Sequence, residues 1–330
     1  MHPDPATKLG EIMKTDFATI TMSPAIDTTL EIEAFPYDNA VIKAGKEVYS
    51  VGGKGLNSAH WLSVRGASVL VTVLLGVETA AQFEGFISEY GLQDEFIRVP
   101  GYSRVNVMFV SPSGMFKVNR SGFPDLKPEQ YSIQAIIDSC KKANTCIMAG
   151  SLPKAMPEDV YAQIIEALHS VGSAAVLDAS GKAFAAGLEA MPDVIKPNRQ
   201  ECAEYLGKSI NSEHDVFAAL EALGKKAKLV ILSDSSNGCW FFDAAGSGEI
   251  KFMAAPEVEV VDTTGAGDAL LAEFSYRYFG LASGERKLTE ELMAHAVAAG
   301  SATCTLPGAR APSAAFVDNL AKNLMLKKEQ

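Results

Sequence analysis

The sequence predicts an α/β fold: a central, mostly parallel sheet with helices on both faces, three layers in all, and a small extra β-sheet serving as a lid. Three observations carry this. Apolar strand-like runs alternate with helical patterns along most of the 330 residues, the mark of repeated βα winding. Two segments, 28–50 and 104–119, interrupt that rhythm with β-branched and aromatic residues around turn signals. A glycine-rich turn near residue 265 then runs directly into a further amphipathic stretch.

The first strand is predicted over Phe17–Met22, after a polar segment, 1–16, expected to be a flexible tail. Asn57–Arg65 reads as a helix closed by Gly66, and Val69–Leu75 has the unbroken apolar character of a buried parallel strand. A helix follows over Ala80–Tyr90 and stops at Gly91. Pro128 opens a helix to Lys142 before a strand at Thr145–Ala149; Pro157 opens another to Val171 before a strand at Ala174–Asp178. Segment 28–50, with its turn at Pro36–Asn39, and segment 104–119, with its turn at Ser111–Gly114, leave the main sheet and return to it. They are expected to pair over a ligand cleft within one domain spanning 1–330; two unrelated surface hairpins are the plainer alternative.

Composition narrows the function. Hydrophobic residues make up 48% and charged residues 21%, a globular balance. The apolar runs fall far short of the roughly 20 residues a bilayer needs, and residues 1–16 contain no apolar signal-peptide core, so a cytoplasmic protein without a membrane partner is expected. The net charge of −11 opposes contact with a phosphate backbone, which excludes nucleic acid as a partner. A small anion would need a local cluster of donors and cations. The five cysteines form no C-x-x-C pair and are expected to be reduced. His60, His169, His214 and His295 fall at unrelated spacings that make no metal or nucleophile constellation, and Trp61 and Trp240 are expected in the core.

Two clusters carry chemistry. In Val260-Val261-Asp262-Thr263-Thr264-Gly265-Ala266-Gly267-Asp268 an apolar strand is expected to enter a glycine turn and then a helix. Glycines let the backbone approach a ligand, and the first helical turn offers unpaired N–H groups and a positive dipole end, an anion hole. Asp268 would repel phosphate if it merely lined that hole; it makes sense as a general base beside it. The plainer alternative is a carboxylate stabilising a helix dipole. The second cluster, Gly52-Gly53-Lys54-Gly55-Leu56-Asn57, also stands at a helix start and suits an anionic group, with a solvated lysine in a loop as the alternative. It lacks the spacing of a P-loop.

Together these residues resemble the ribokinase-like (PfkB) carbohydrate kinases over Phe17–Pro312. Asp262–Asp268 is similar to the family's C-terminal signature and Gly52–Asn57 to its N-terminal glycine motif. Pro24-Ala25-Ile26-Asp27, Ser103-Arg104-Val105-Asn106 and Gly150-Ser151-Leu152-Pro153 resemble the hexose-phosphate branch, which holds 1-phosphofructokinase and tagatose-6-phosphate kinase. The resemblance implies Asp268 as catalytic base beside the amides of Gly265, Ala266 and Gly267. It implies sugar binding by Asp27, Gly52, Gly53, Asn57, Asn106 and Ser151, and Lys54 and Arg104 on the phosphate the sugar already bears. Lys196, Asn198, Ser233, Ser235, Gly238 and Gly267 would meet the nucleotide. Asn198 and Glu201 would orient water around Mg²⁺, which keeps several of its waters. ATP and Mg²⁺ are thus the implied cofactors, a monovalent cation is left open, and a homodimer through the lid is expected.

The chain departs from the family at Ser235, where glycine is usual, and at Ser23, Ser103, Leu270 and the stretch Gly76-Val77-Glu78-Thr79-Ala80. The implied activity is ATP-dependent phosphorylation of a hexose monophosphate, fructose 1-phosphate or tagatose 6-phosphate. The rivals are a family kinase acting on an unphosphorylated sugar or nucleoside, and a ligand-binding regulator without turnover.

Overall fold

The computed structural model describes residues 14–36, 41–120 and 122–328. Residues 1–13 of the expected tail and residues 37–39 of the first expected turn lie outside these. The strands run β1 Thr15–Thr21, β2 Ala25–Glu31, β3 Lys46–Gly52, β4 Val69–Gly76, β5 Gln93–Val99, β6 Arg104–Ser111, β7 Gly114–Asn119, β8 Ala143–Ala149, β9 Ala174–Asp178, β10 Val194–Ile195, β11 Leu229–Ser233, β12 Gly238–Asp243 and β13 Ile250–Ala254. The helices are α1 Lys54–Val64, α2 Ala80–Glu89, α3 Ile133–Cys140, α4 Val160–Ser170, α5 Gly181–Glu189, α6 Arg199–Leu206, α7 Glu213–Gly224, α8 Ala266–Phe279, α9 Glu290–Thr303 and α10 Ala314–Lys328.

Nine strands form one sheet in the order β13-β12-β11-β10-β9-β8-β1-β4-β5. Neighbours are parallel except at β11–β12 and β12–β13. Successive side chains of a strand face opposite ways, and β4 shows why its sequence is apolar at nearly every position. Val69, Val71, Val73 and Leu75 enter the core that also holds residues of α1, α8 and α9. Leu74 enters the other core, with residues of α3, α4, α5 and α7, and Thr72 on the same face shares a hydrogen bond with Ser139 of α3. Helices therefore cover both faces, giving the three layers. From β1 the chain winds outward through β4 and β5, then crosses to β8 on the other side of β1. Reversals of this kind open a crevice at the carboxyl ends of the strands.

The remaining strands form a separate sheet, β3-β2-β6-β7. Each expected hairpin is present, β2–β3 and β6–β7 both antiparallel, and β2 pairs with β6 in parallel, setting Asp27 opposite Asn106.

Several expected boundaries differ. Thr15 and Asp16 belong to β1, because Thr15 N bonds Lys142 O at 2.9 Å and the Asp16 carboxylate accepts from Ser68 N and Oγ at 2.8 and 2.7 Å. The first helix starts at Lys54, three residues early. Pro128 opens a 3₁₀ turn, and α3 begins after Ser132, whose hydroxyl accepts from Ala135 N. The expected strand at Val260–Val261 is absent: the edge strand β13 ends at Ala254, and the N–H groups of Val261 and Asp262 instead bond Cys304 O at 2.8 and 3.2 Å. All five cysteines are free thiols. No helix among the described residues is long and apolar enough to cross a membrane.

Candidate active site

Two helix starts meet above the carboxyl end of the sheet. Gly265, at φ 81°, caps α8; a side chain there would be strained by that backbone angle and would also stand 2.7 Å from Ala309 Cβ. Ala266 N turns back to Thr263 O at 3.3 Å, and Ala269 N makes the first helical bond, to Gly265 O at 2.9 Å. The Gly267 and Asp268 amides are thereby left without a backbone partner and available to an anion, whereas the Ala266 amide, expected to share that role, is occupied. Asp262 shapes the approach: its carboxylate accepts from Thr264 N at 2.9 Å, Thr264 Oγ1 at 2.7 Å and Gly308 N at 3.0 Å. Burial would raise its pKa, and these bonds reverse that and hold it low.

Asp268, in the first turn of α8, is 6% exposed. Asn57 of α1 donates to its Oδ2 at 2.7 Å, and Ser58 Oγ donates to its backbone carbonyl at 3.4 Å. Burial, then the charge of Asp178, push its pKa up to about 6; the Asn57 bond and the charges of Lys54 and Lys196 pull the other way. A carboxylate so tuned is ionised at neutral pH yet basic enough to take a hydroxyl proton.

Asp178, the last residue of β9, gathers the cations and is a residue that the sequence reading missed. It is 1% exposed and lies 3.0 Å from Lys54 Nζ and 3.3 Å from Lys196 Nζ. Burial would raise its pKa, but these two ammoniums overcome that and hold it below the usual carboxylate range. The only signal available was its place at the carboxyl end of a parallel strand. Lys54 also lies 3.9 Å from Glu201 Oε1. Burial alone would depress its ammonium; Asp178, Asp268 and Glu201 instead keep it well above its ordinary value. A Cβ on Gly267 would stand 3.2 Å from Lys196 Nζ, so that lysine lies against the first turn of α8. Gly150, at φ 92°, leads Ser151 past Lys54; its own Cβ would be 3.9 Å from Lys54 Cβ. Lys54 thus points at the cluster around Asp268.

The other residues fall into two groups on either side. In the small sheet, Asn106 Nδ2 donates to Asp27 Oδ1 at 2.8 Å, leaving Asn106 Oδ1 buried without a protein partner. Gly52 is opposite Ala25, and a Cβ on it would stand 2.5 Å from Asp27 Oδ2, so glycine is what lets Asp27 lie across that strand. Arg104 is level with Ala25 on the other side, its Nε buried and unpaired. Gly53 caps α1. On the opposite side, Asn198 and Glu201 cap α6 reciprocally, Glu201 N to Asn198 Oδ1 at 2.8 Å and Asn198 N to Glu201 Oε2 at 2.9 Å. Ser233 bridges to Asn198. Ser235 takes φ 50°, the left-handed angle that explains why glycine is usual there. The turn is pinned by Asp234, which accepts from Arg199 Nε and Nη2 at 2.5 and 2.7 Å and bonds Gly238 O through its own N–H. Gly238 ends it at φ 125°, where a Cβ would collide with Met253 O. A cleft of about 600 Å³ between Asp16, Gly66, Tyr276 and Leu292 opens at the other end of the sheet, away from these groups.

Residues 20–315 match the pfkB family carbohydrate kinase. The chain belongs to that family. As a member it is an ATP-dependent sugar kinase. Among curated proteins it is 31% identical to the 1-phosphofructokinase of Vibrio cholerae over 297 residues, 88% of this chain and 90% of that one. It is 31% identical to the 1-phosphofructokinase of Escherichia coli over 290 residues, 86% and 89% of the two chains. Among solved structures, phosphofructokinase-2 from Escherichia coli in complex with potassium superposes with a TM-score of 0.84 at 22% identity, covering 94% of this chain and 99% of that one. Ribokinase from Arabidopsis thaliana complexed with ribose and ATP gives 0.76 at 21%, with 94% and 99% covered. These structural likenesses bear on the fold, which is that of the ribokinase-like kinases.

Proposed function

We propose that this chain transfers the γ-phosphoryl group of ATP to a hydroxyl of a hexose monophosphate, fructose 1-phosphate before tagatose 6-phosphate. The observation that carries this is Asp268: a buried carboxylate with a raised pKa, in the first turn of a helix whose Gly267 lies beside Lys196. The first relatives found, all 1-phosphofructokinases matching over most of their length, favour the substrate order.

The sugar would lie between the small sheet and α1. Asp27 and Asn106, tied to each other, would read its hydroxyls with Asn57, and the buried, unpaired Arg104 Nε supports a place for the phosphate it already carries. Asp268 would take the proton of the acceptor hydroxyl, whose oxygen then attacks the γ-phosphorus as the bond to the leaving ADP oxygen breaks. The Gly267 and Asp268 amides, with Lys54 and Lys196, would spread the charge on the phosphoryl oxygens. Lys54 is drawn here towards the transferring group by its pairing with Asp178 and Glu201. The Ser233–Gly238 turn would meet the nucleotide.

Magnesium fits as a metal held by substrate phosphates and water. Among the described residues no cluster of three or more acidic, histidine or cysteine side chains could cage a metal, while Glu201 directs one carboxylate oxygen towards Lys54 and the other to its own cap. Bound there, the ion would neutralise nucleotide phosphate charge. The small sheet would close as a lid and exclude water. Its exposed Tyr49, Met115 and Phe116, at 66, 72 and 57%, favour a second copy of the chain against it; sedimentation showing a fully active monomer at high concentration would remove that part.

Turnover of fructose 1-phosphate, tagatose 6-phosphate, fructose 6-phosphate and free fructose with Mg-ATP tests the reading. Free fructose as the best acceptor would replace it with an unphosphorylated-sugar kinase, and turnover of none would leave a ligand-binding regulator. Exchanging potassium for sodium in the same assay tests for a monovalent cation, since a solved neighbour holds potassium.

A further inference from the structure

The seam between α1 and α8 holds a second set of contacts that substrate binding and proton transfer do not use. Glu273 of α8 is fully buried and has four donors. Its Oε2 accepts from Trp61 Nε1 at 3.0 Å and Arg65 Nε at 2.7 Å; its Oε1 accepts from Arg65 Nη2 at 2.7 Å and Arg277 Nε at 2.6 Å. Trp61 and Arg65 follow Asn57 at four-residue steps, so the three form one stripe of α1. That stripe meets α8 twice: at Asn57–Asp268, and about one and a half turns further on at Trp61 and Arg65 with Glu273. Asp318 of α10 ties the far side, accepting from Arg65 Nη1 and Nη2 at 3.2 and 2.9 Å and from Arg277 Nη2 at 3.0 Å, with His295 Nε2 of α9 at 3.6 Å.

We propose that Glu273 is a positioning residue for Asp268: by gripping Trp61 and Arg65 it fixes the register of α1 against α8, and so the bond from Asn57 to the Asp268 carboxylate. The inference rests on the assignment of Asp268 as the base. A buried carboxylate with both oxygens doubly satisfied has discrete, directional partners, and a slide of one helix along the other breaks several bonds at once. Apolar packing alone, with Leu62 of α1 and Ala269 and Leu270 of α8 in the same core, is non-directional and tolerates small slides.

The test is a set of variants read by Tm and by the acid limb of kcat against pH. Trp61→Phe keeps the ring and deletes one donor; Glu273→Gln keeps the shape and turns an amide N–H towards Trp61 and Arg65. The groups that set the acid limb face Asp268 from α1 (Lys54 and Asn57), from β9 (Asp178) and from the segment after β10 (Lys196), and none is altered. Loosening the Asn57 bond removes an influence that lowers the Asp268 pKa, so both variants should move the limb to higher pH by a few tenths of a unit. They should also lower kcat several-fold and leave both KM values within about twofold. In an Asn57→Ala background the same substitutions should no longer move the limb. A lower Tm with an unmoved limb, or a shift that persists in Asn57→Ala, overturns the proposal and leaves Glu273 structural. Asp268→Asn in parallel keeps the outcomes apart, because activity retained there would sink the base assignment itself.

Discussion

Lys54→Met separates two roles for one side chain: a clamp on the phosphate the sugar brings, implied by resemblance, and a cation at the transfer centre, favoured by geometry. The substitution keeps most of the stem and removes the ammonium 3.0 Å from Asp178 and 3.9 Å from Glu201. Asp178 is then left buried with Lys196 alone, at 3.3 Å. Stripping a buried charge of its partner costs about 3–5 kcal/mol. Here one partner of two survives, and the Lys54 side chain is 37% exposed, where water screens the pair, so a loss of about 1–2 kcal/mol is expected at neutral pH. The sign with pH follows from Asp178. Its folded pKa is depressed, so its stabilisation is present above the unfolded value and is lost as pH falls through the folded one. The variant has less of it to lose, and the two denaturation curves should converge in acid. For catalysis, removing one preorganised donor of developing charge costs about 10²–10³ in kcat. Lys54 also holds the Asp268 pKa down, so the acid limb should move above about pH 6. Ionisation of substrate phosphates is common to both proteins and cancels in the comparison. The assay is steady-state phosphorylation of fructose 1-phosphate with both substrates varied across that limb, alongside urea denaturation. A KM for the sugar phosphate raised more than about tenfold, with kcat almost kept, would refute the transfer role and return Lys54 to the sugar's phosphate.

Asp268→Asn should lower kcat by about 10²–10⁴ while calorimetry shows ATP and sugar phosphate still bound, because the amide keeps the size and cannot take the proton. Arg104→Ala should cost fructose 1-phosphate about 1.5–3 kcal/mol in kcat/KM and leave fructose almost unaffected; an equal loss for both would make Arg104 structural. Gly267→Ala puts a methyl about 3.2 Å from Lys196 Nζ, so the lysine must give way, and the KM for ATP should rise with little change in Tm. Ser235→Gly relieves a left-handed angle worth about 1–2 kcal/mol against an entropic cost of about 0.5–1 kcal/mol; urea denaturation should show a gain of up to about 1.5 kcal/mol, and a loss would show that the Ser235 side chain is needed.

What could be read from the sequence was whatever local physics determines. The unbroken apolar run of β4 announces a strand buried on both faces, and each lid segment carries its own turn. Pairing between them is another matter: Asp27 meets Asn106 across 79 residues, and no local signal states that β2 and β6 join in parallel. Helix α1 begins earlier than expected because Gly53 and Gly55 look like turn residues, glycine costing about 1 kcal/mol in a helix; tertiary contact with β1 overrides that preference. Val260 and Val261 have the β-branched character of a strand but follow the last edge strand, where no strand partner remains, so both stay outside the sheet, exposed, with the Val261 N–H on Cys304 O. The two motif carboxylates stood out by their neighbours, Asp268 beside glycines and Glu201 beside a cap. Asp178 has no such neighbours and gains meaning only when β9 is set between β8 and β10.

That late-appearing residue resolves the electrostatic difficulty of the molecule. A chain of net charge −11 must hold two polyanions close together, and free lysines in such a site would rotate, hydrate and need reordering at each turnover. Asp178 removes that cost by fixing Lys54 and Lys196 on its two oxygens before any phosphate arrives. Because it is buried and its own charge is held by both ammoniums, it does not compete for the space in front of them. The same charge raises the pKa of Asp268, so in the proposed mechanism one carboxylate orders the cations that would receive negative charge and keeps its neighbour basic enough to take the hydroxyl proton. Preorganisation and basicity are thereby coupled through a single side chain. Loss of Asp178 should therefore lower the acid limb and kcat together, whereas loss of either lysine should lower kcat while raising the limb.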